Sequence, residues 1–478
     1  MIDSIWQEGL YGILRHPRLR GEITADVAVI GGGMAGILCA DALRRAGVSV
    51  VVLERDRVGS GQTGGTSAKI TAQHGTVYHN LQKRSAELAE GYAAANQWAV
   101  RAFVERIRKD SIACDLEERD AYVYALRDKE LLEREYRAQR ASGLAVKYTH
   151  VDALPFETVG AIQLAHQAQI HPLKLLYAIS ANLRIFEGSG VTQVCGTDVL
   201  TAHGCVHAKR VVFACHYPFV NFPGLFFARM HQERESFLAL RHAPIPEGMW
   251  VCAEEDGFSL RTVAGLTLFG GLPHRTGTRR HANSYTLLRR RAQELLGSRS
   301  VAAQWSAQDC IPASGKPYIG RFCRTRPDWF VATGFGKWGM TSSMVASRII
   351  CDLICERKNE WEGVFSPLSH SIVSVKGIAI ETAHAAKGLA KAAFALPREC
   401  VDSLAPGHGE VVFFNGKRVG VYKDSEGRIY TVRATCPHLG CRLEWNADDL
   451  SWDCPCHGSR FDYKGNLLNG PAQKGIHR

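Results

Sequence analysis

The segment Asp26-Val-Ala-Val-Ile-Gly-Gly-Gly-Met-Ala-Gly36 decides the fold of the first part of this chain. A β-branched run (26–30) leads directly into Gly31-x-Gly33-x-x-Gly36. Apolar residues then recur at helical spacing through Ile37, Leu38, Ala42 and Leu43 as far as Gly47, and a second β-rich run closes at Glu54. Strand, tight turn, helix and strand make a Rossmann-type unit. Gly31 permits the turn, Gly33 lets the backbone approach a pyrophosphate, and Gly36 lets the helix pack close to the strand. Met34 and Ala35 open the helix, whose free N–H groups and partial positive charge face phosphates. Glu54, with Arg55 beside it, is placed to accept hydrogen bonds from ribose hydroxyls. The pattern predicts a dinucleotide site and leaves NAD and FAD open.

The rest of the chain sets bounds on that site. At 478 residues it is too long for a single core, so two or three domains are expected. No apolar run approaches the roughly 18 residues of a membrane span. The first twenty residues lack a basic stretch followed by an apolar core, so a cytoplasmic location is expected. The formal charge is +11, with Lys and Arg spread along the chain, which argues against nucleic acid and suits an acidic redox partner or an anionic substrate. Of 15 cysteines, eleven are scattered over 39–400 and read as buried small hydrophobes, while four fall within 436–456 among two histidines.

Residues 78–118, 128–142 and 341–356 read as helical, 225–310 as alternating and strand-like, and 371–398 as an Ala/Lys-rich linker helix. From 399 onward short strands and turns predict an all-β domain. The expected division is therefore a dinucleotide-binding domain from 1–78, 166–225 and 313–370. A helical region (79–165) and a β-rich region (226–312) form the substrate side, and 399–478 follows the linker. In the last domain, Cys436-Pro-His438-Leu-Gly-Cys441 faces Cys454-Pro-Cys456-His457-Gly-Ser459. A C-x-H with a C-x-x-H supplies two thiolates and two imidazoles, the set a [2Fe–2S] centre of mixed ligation needs. Tetrahedral zinc competes for the same four residues, although a zinc finger does not need the paired CPHLGC and CPCHGS loops.

These paired loops resemble the Rieske family. The N-terminal unit, VGSGQTGGTSAKITAQHG at 58–75, IHPLKLLYAI at 170–179, VHAKRVVFACH at 206–216, PYIG at 317–320 and GFGKWGMT at 334–341 resemble the FAD-dependent D-amino-acid oxidase and glycine oxidase superfamily. The resemblance implies an α/β chain: a Rossmann-like FAD-binding domain, a mixed-sheet α+β substrate domain and a C-terminal all-β Rieske domain. It implies FAD contacts from Gly61, Thr63, Ser67, Lys69 and Ala214, with the Val191 backbone at adenine. It places Gly334, Gly336, Lys337, Trp338, Gly339, Met340 and Thr341 around the isoalloxazine. Lys337 would steady negative charge on the reduced flavin, and Trp338, His74, Tyr318, Arg261 and His274 are candidates for the substrate side. Cys310 is the one candidate for covalent flavin attachment, with a buried inert thiol as the plainer reading. Where an acid is expected before PYIG, Ser314 or Lys316 stands.

The Rieske resemblance gives Cys436 and Cys454 to one iron and His438 and His457 to the other. It implies a Cys441–Cys456 disulfide and a hydrogen bond from Ser459 to a bridging sulfide. Phe461 stands where high-potential relatives carry a Tyr that donates to a ligand sulfur, which implies a lower potential here. The joined resemblances imply a dehydrogenase-like oxidoreductase. It would oxidise an amine or amino-acid-like substrate at FAD and pass electrons singly through the [2Fe–2S] cluster to an external acceptor. Electron flow in the opposite sense and a redox sensor remain beside that reading.

Overall fold

A computed structural model of the chain describes residues 4–8, 10, 15–151, 154–278, 283–369, 379, 381, 383, 404–414 and 417–478. Strand β1 (Gly21–Ile30) pairs in parallel with β2 (Val50–Leu53) on one side and with Gly204–Phe213 on the other. Arg184–Phe186, Arg326–Thr333 and Tyr318–Cys323 extend this sheet, and the hairpin Val191–Cys195/Asp198–Thr201 joins it beside Gly204–Phe213. Val27, Val29 and Val52 are fully enclosed beneath helix α1 (Met34–Arg45), and helix Gly339–Ile354 packs on α1. The glycine expected to allow that packing is required: a Cβ on Gly36 would lie 1.9 Å from the Gly31 carbonyl oxygen.

The second sheet has nine strands, running Val301–Pro312, Met230–Leu240, Leu266–Arg275, Ser259–Val263, Met249–Cys252, Glu117–Ala125, Gly160–Gln169 and Lys69–Ile70, with Lys147–Thr149 on Gly160–Gln169. Only the Met249–Cys252/Glu117–Ala125 pair is parallel, so this is a mixed sheet. Two expectations fail here. The helix expected through 118 ends at Lys109, because Ser111 turns left-handed (φ 51°) and Ala121, Val123 and Ala125 then alternate inward as a strand. Inside the region expected to be strand-like, Ser284–Leu296 is a helix. Its Leu288, Ala292 and Leu296 recur every fourth residue and are buried, together with Ser284 and Tyr285 in the first turn.

The C-terminal region is all-β, as expected: a three-stranded sheet from Gly409 to Arg433 and a four-stranded one from Glu444 to Asn469, closed over Trp452, Phe461 and Val432. The linker helix expected at 371–398 lies almost wholly outside the described residues. Of its described positions Glu381 is buried, pairing with His231 (2.9 Å) and Arg275 (2.8 Å).

Candidate functional site: a dinucleotide cavity beside a cluster pocket

A cavity of about 1610 Å³ opens at the C-terminal ends of β1 and β2, crosses the face of the second sheet and reaches the C-terminal domain. Gly31 turns with φ +112°, and a Cβ there would strike the Ala214 carbonyl oxygen at 2.6 Å. The Met34 N–H, at the start of α1, donates to Thr63 Oγ1 (3.0 Å), which ties the helix end to the 58–75 loop. Glu54 accepts from the Gly32 N–H (2.7 Å) and the Asp56 N–H (2.8 Å), so its carboxylate is fixed at the cavity rim. Gly33, Ala35, Arg55, Gly61, Ser67, Lys69, Val191, Ala214, Gly334, Gly339 and Met340 also line this space. Val191 gives its carbonyl to Gln473 Nε2 (3.2 Å) from the C-terminal domain. Gly36, Gly336 and Thr341 do not reach the wall. Thr341 is buried one layer back, against His74 Nε2 (3.1 Å).

Of the substrate-side candidates, His74 and Trp338 stack with ring centroids 4.5 Å apart. His74 is enclosed, with Nδ1 against Tyr92 OH (2.7 Å) and Nε2 against Thr71 O (2.8 Å). Burial drives its pKa down to about 3, so the ring is a neutral prop. Lys337 adopts φ +75° and points into the cavity between Glu235 (3.5 Å) and Glu233 (3.7 Å). Burial opposes its charge, but Glu235, Glu233 and Asp309 outweigh that and raise its pKa, so Lys337 is held as a cation among carboxylates while the residue stays exposed at the open cavity. Burial takes Lys69 the other way, down to about 7, beside Ser259.

Tyr318 is a correction. It faces the opposite core, its hydroxyl donating to the Arg229 carbonyl (3.3 Å) beneath the Arg229 guanidinium, and it does not line the cavity. Arg261 also sits behind the wall, donating to the carbonyls of Ser67 (2.7 Å) and Ala68 (3.0 Å). His274 does line the wall. Cys310 reaches the cavity, but burial holds its thiol protonated and its Sγ donates to the His216 carbonyl (3.4 Å), the environment of an unreactive cysteine.

In the C-terminal domain the two Cys–His loops meet. The Cys436 and Cys454 thiols are buried in hydrogen-bond contact, and the imidazoles of His438 and His457 lie edge to face 4.9 Å apart. Nδ1 of both rings is buried with no partner among the described residues. Orphaned ring nitrogens cost free energy unless something binds them, and a metal is what two thiols and two imidazoles can hold. Burial lowers the pKa of His438 to about 4 and of His457 to about 3, keeping both in the neutral, ligating form. A Cys441–Cys456 disulfide clamps the loops together. The Ser459 hydroxyl reaches Cys436 and accepts from the Ala472 N–H (3.0 Å).

Comparison with known proteins decides the cofactors. Residues 26–353 match the family described as FAD dependent oxidoreductase, and residues 398–478 match the Rieske [2Fe-2S] domain. The chain belongs to the FAD dependent oxidoreductases. It is also similar to a Bacillus subtilis protein, YhfW, named for a Rieske 2Fe-2S iron–sulfur centre. The two are 33% identical over 477 residues, covering 96% of this chain and 94% of that one. Gamma-glutamylputrescine oxidoreductase of Escherichia coli is 31% identical over 218 residues, covering 41% of this chain and 50% of its own. Among solved structures, glycine oxidase from Geobacillus kaustophilus shares the fold of the FAD-binding part (TM-score 0.61, 22% identity), covering 73% of this chain and 99% of that one. FAD and a Rieske [2Fe–2S] cluster are therefore the cofactors of this oxidoreductase.

The two sites of this oxidoreductase share one strand of wall. Along Met230–Leu240, His231, Glu233 and Glu235 face the FAD cavity, with Asp309 opposite Glu233 on the neighbouring strand. Gln232 and Arg234, between them, contact the Rieske domain, and Arg234 also borders the cavity where it reaches that domain. Gln232 Nε2 donates to the His457 carbonyl (2.6 Å) and the Gly470 carbonyl (3.0 Å), and Gln308 Nε2 donates to the Gly458 carbonyl (2.8 Å). Arg234 pairs with Asp449 (2.6 Å). Asn221 Oδ1 accepts from His438 Nε2 (2.7 Å). Sequence reasoning missed this wall. The available signal was the two-residue spacing of His231, Glu233 and Glu235, with Gln232 and Arg234 between them, ahead of an apolar strand end.

Proposed function

We propose that the chain oxidises an amine or amino-acid-like compound at the FAD and passes the electrons singly to its own Rieske cluster, and from there to an external acceptor. FAD, when bound, accepts two electrons and releases them one at a time, which is what a one-electron cluster requires. The observation that carries the reading is the strand Met230–Leu240, whose alternate side chains border the FAD cavity and hold the backbone of a cluster ligand. Relatives named for gamma-glutamylputrescine and glycine support an amine substrate.

In this reading the segments 1–78, 166–225 and 313–370 hold the FAD, and 79–165 with 226–312 form the substrate side. Thr63 and the start of α1 hold the pyrophosphate, Glu54 the ribose, and Lys337 the charge that gathers on the reduced ring. Trp338 is wedged against His74 and keeps that ring edge dry. Cys436, Cys454, His438 and His457 hold the cluster. No helix among the described residues is long and apolar enough to cross a membrane, which suits a cytoplasmic enzyme handing electrons to a carrier.

The test is anaerobic. Candidate amines and amino acids are mixed with holoenzyme, following flavin absorbance and the paramagnetic signal of the reduced cluster. Flavin bleaching followed by cluster reduction is expected. Bleaching with a cluster that stays oxidised sinks the proposal.

A further inference from the structure

The collar around the cluster histidines carries an exposed patch that the internal transfer does not use. His457 is 3% exposed and lies under the ring of Phe227 (5.8 Å), whereas His438 is only partly covered. The cover on both comes from the FAD domain, through residues 217–229. Asn221 holds His438, and the next residue, Phe222, is 70% exposed while contacting Phe227 edge to face (5.9 Å). Leu225 is 44% exposed, and Leu439, next to His438, is 39% exposed. These are three of the seven large hydrophobic side chains exposed among the described residues, and all lie beside one hydrogen bond. Leu225 is also held left-handed at φ 54°, a conformation that costs a leucine free energy and gains no burial.

The loop rests on the hairpin Tyr318–Thr333, where a Cβ on Gly224 would touch Phe322 at 2.5 Å. The turn of that hairpin exposes Arg324, with Arg321 and Arg326 on its flanks. An apolar centre over a redox ligand, a basic margin and a net charge of +11 describe a surface for brief, electrostatically steered docking.

We propose that Phe222, Leu225 and Leu439 form the docking surface for a small acidic one-electron carrier protein, which is reduced over the His438 edge of the cluster. This rests on the reading that electrons leave through the cluster. One electron moves from the reduced cluster to the carrier's oxidised centre, no bond changes, and the cluster returns to its oxidised state.

The experiment uses holoenzyme reduced with dithionite, freed of excess reductant and mixed with oxidised plastocyanin as an acidic one-electron probe. Oxidation of the cluster is followed by stopped flow. The wild-type rate should fall as salt rises and exceed that with basic cytochrome c at low salt. Phe222→Ser with Leu225→Gly, and separately Arg324→Glu, should each slow plastocyanin about tenfold while leaving oxidation by p-benzoquinone, the iron content and the cluster spectrum unchanged. Equal plastocyanin rates in wild type and variants, or faster oxidation by cytochrome c, would overturn the proposal. Because the cluster is reduced chemically, failure to find an oxidisable amine would count against the proposed function alone.

Discussion

The Rieske pocket and the FAD cavity are built in opposite ways. The four cluster ligands lie between Cys436 and His457 on two loops joined by a disulfide, so a short stretch of chain specifies the whole site. The cavity wall draws on segments from Ile30 to Ser343 and on the Rieske domain itself. A local site is fixed by turn geometry and survives changes elsewhere. A distributed site depends on every strand register that brings its parts together. The two sites should accordingly fail separately.

The largest expected effects come from removing each site's foundation. Cys454→Ser takes away a cluster thiolate, and iron and acid-labile sulfide should fall to background while flavin is retained. Gly36→Val puts a side chain where a Cβ already meets the Gly31 oxygen at 1.9 Å, an overlap that no rotamer relieves. Flavin should be absent from whatever folds. Flavin loss in Cys454→Ser would break the contrast, because it would make the cavity dependent on the cluster.

Next in size is the joint between the sites. Arg234, 2% exposed, pairs with Asp449, which Arg460 also approaches at 3.2 Å. Breaking a buried pair costs about 3–5 kcal/mol, so Asp449→Asn should lower stability on that scale in a urea titration. Burial opposes the Asp449 charge, but Arg234 and Arg460 outweigh it and hold the pKa at about 2, below the ordinary 3.8. A carboxyl depressed by folding contributes stability that is fully present above about pH 4 and is lost as pH falls towards 2. Wild type should therefore show an acid-driven loss in that window which Asp449→Asn lacks.

A smaller effect isolates transfer from structure. Gln232→Leu removes the donor to the His457 and Gly470 carbonyls and leaves them short of a partner, which costs about 1–3 kcal/mol. Flavin and iron content should be retained, while flavin-to-cluster transfer in rapid-mixing experiments slows about tenfold as the ligand loop loosens. An unchanged transfer rate would remove Gln232 from the path and weaken the case for a shared wall.

The same contrast decides what the sequence reveals. Gly31, Gly33, Gly36 and Glu54 were legible because strand, turn and helix lie within one local unit, and Cys436 to His457 because ligand spacing is itself the signal. The Glu233–Asp309 pairing was not legible. It exists only through the register of two strands far apart in the chain, and nothing near either residue announces it. Tyr318 was misjudged for a related reason. Its neighbours suggest the flavin, but which face a strand residue takes is set by parity along the sheet, and Tyr318 has the parity of the opposite core. The strand at Glu117–Ala125 and the helix at Ser284–Leu296 show tertiary burial choosing between patterns that composition left close together.

The smallest predicted effect lies in the cluster pocket and concerns a single hydroxyl. Phe461 is fully buried, paired across the sheet with Trp452 and two residues beyond Ser459, whose hydroxyl reaches Cys436. Phe461→Tyr would add one donor at that depth. A hydrogen bond to a ligand sulfur favours the reduced, more negative cluster, and about 1 kcal/mol of preference raises a one-electron potential by roughly 40 mV. A redox titration of the variant should show a rise of that order with the spectrum intact. If the hydroxyl finds no sulfur, it is buried unpaired, and stability falls by about 1–3 kcal/mol with no change in potential. A wild-type potential already equal to that of respiratory Rieske proteins would remove the premise, since Phe461 would then be withholding nothing. Either result is confined to the Rieske domain, so flavin reduction by substrate should proceed at the wild-type rate in the same variant.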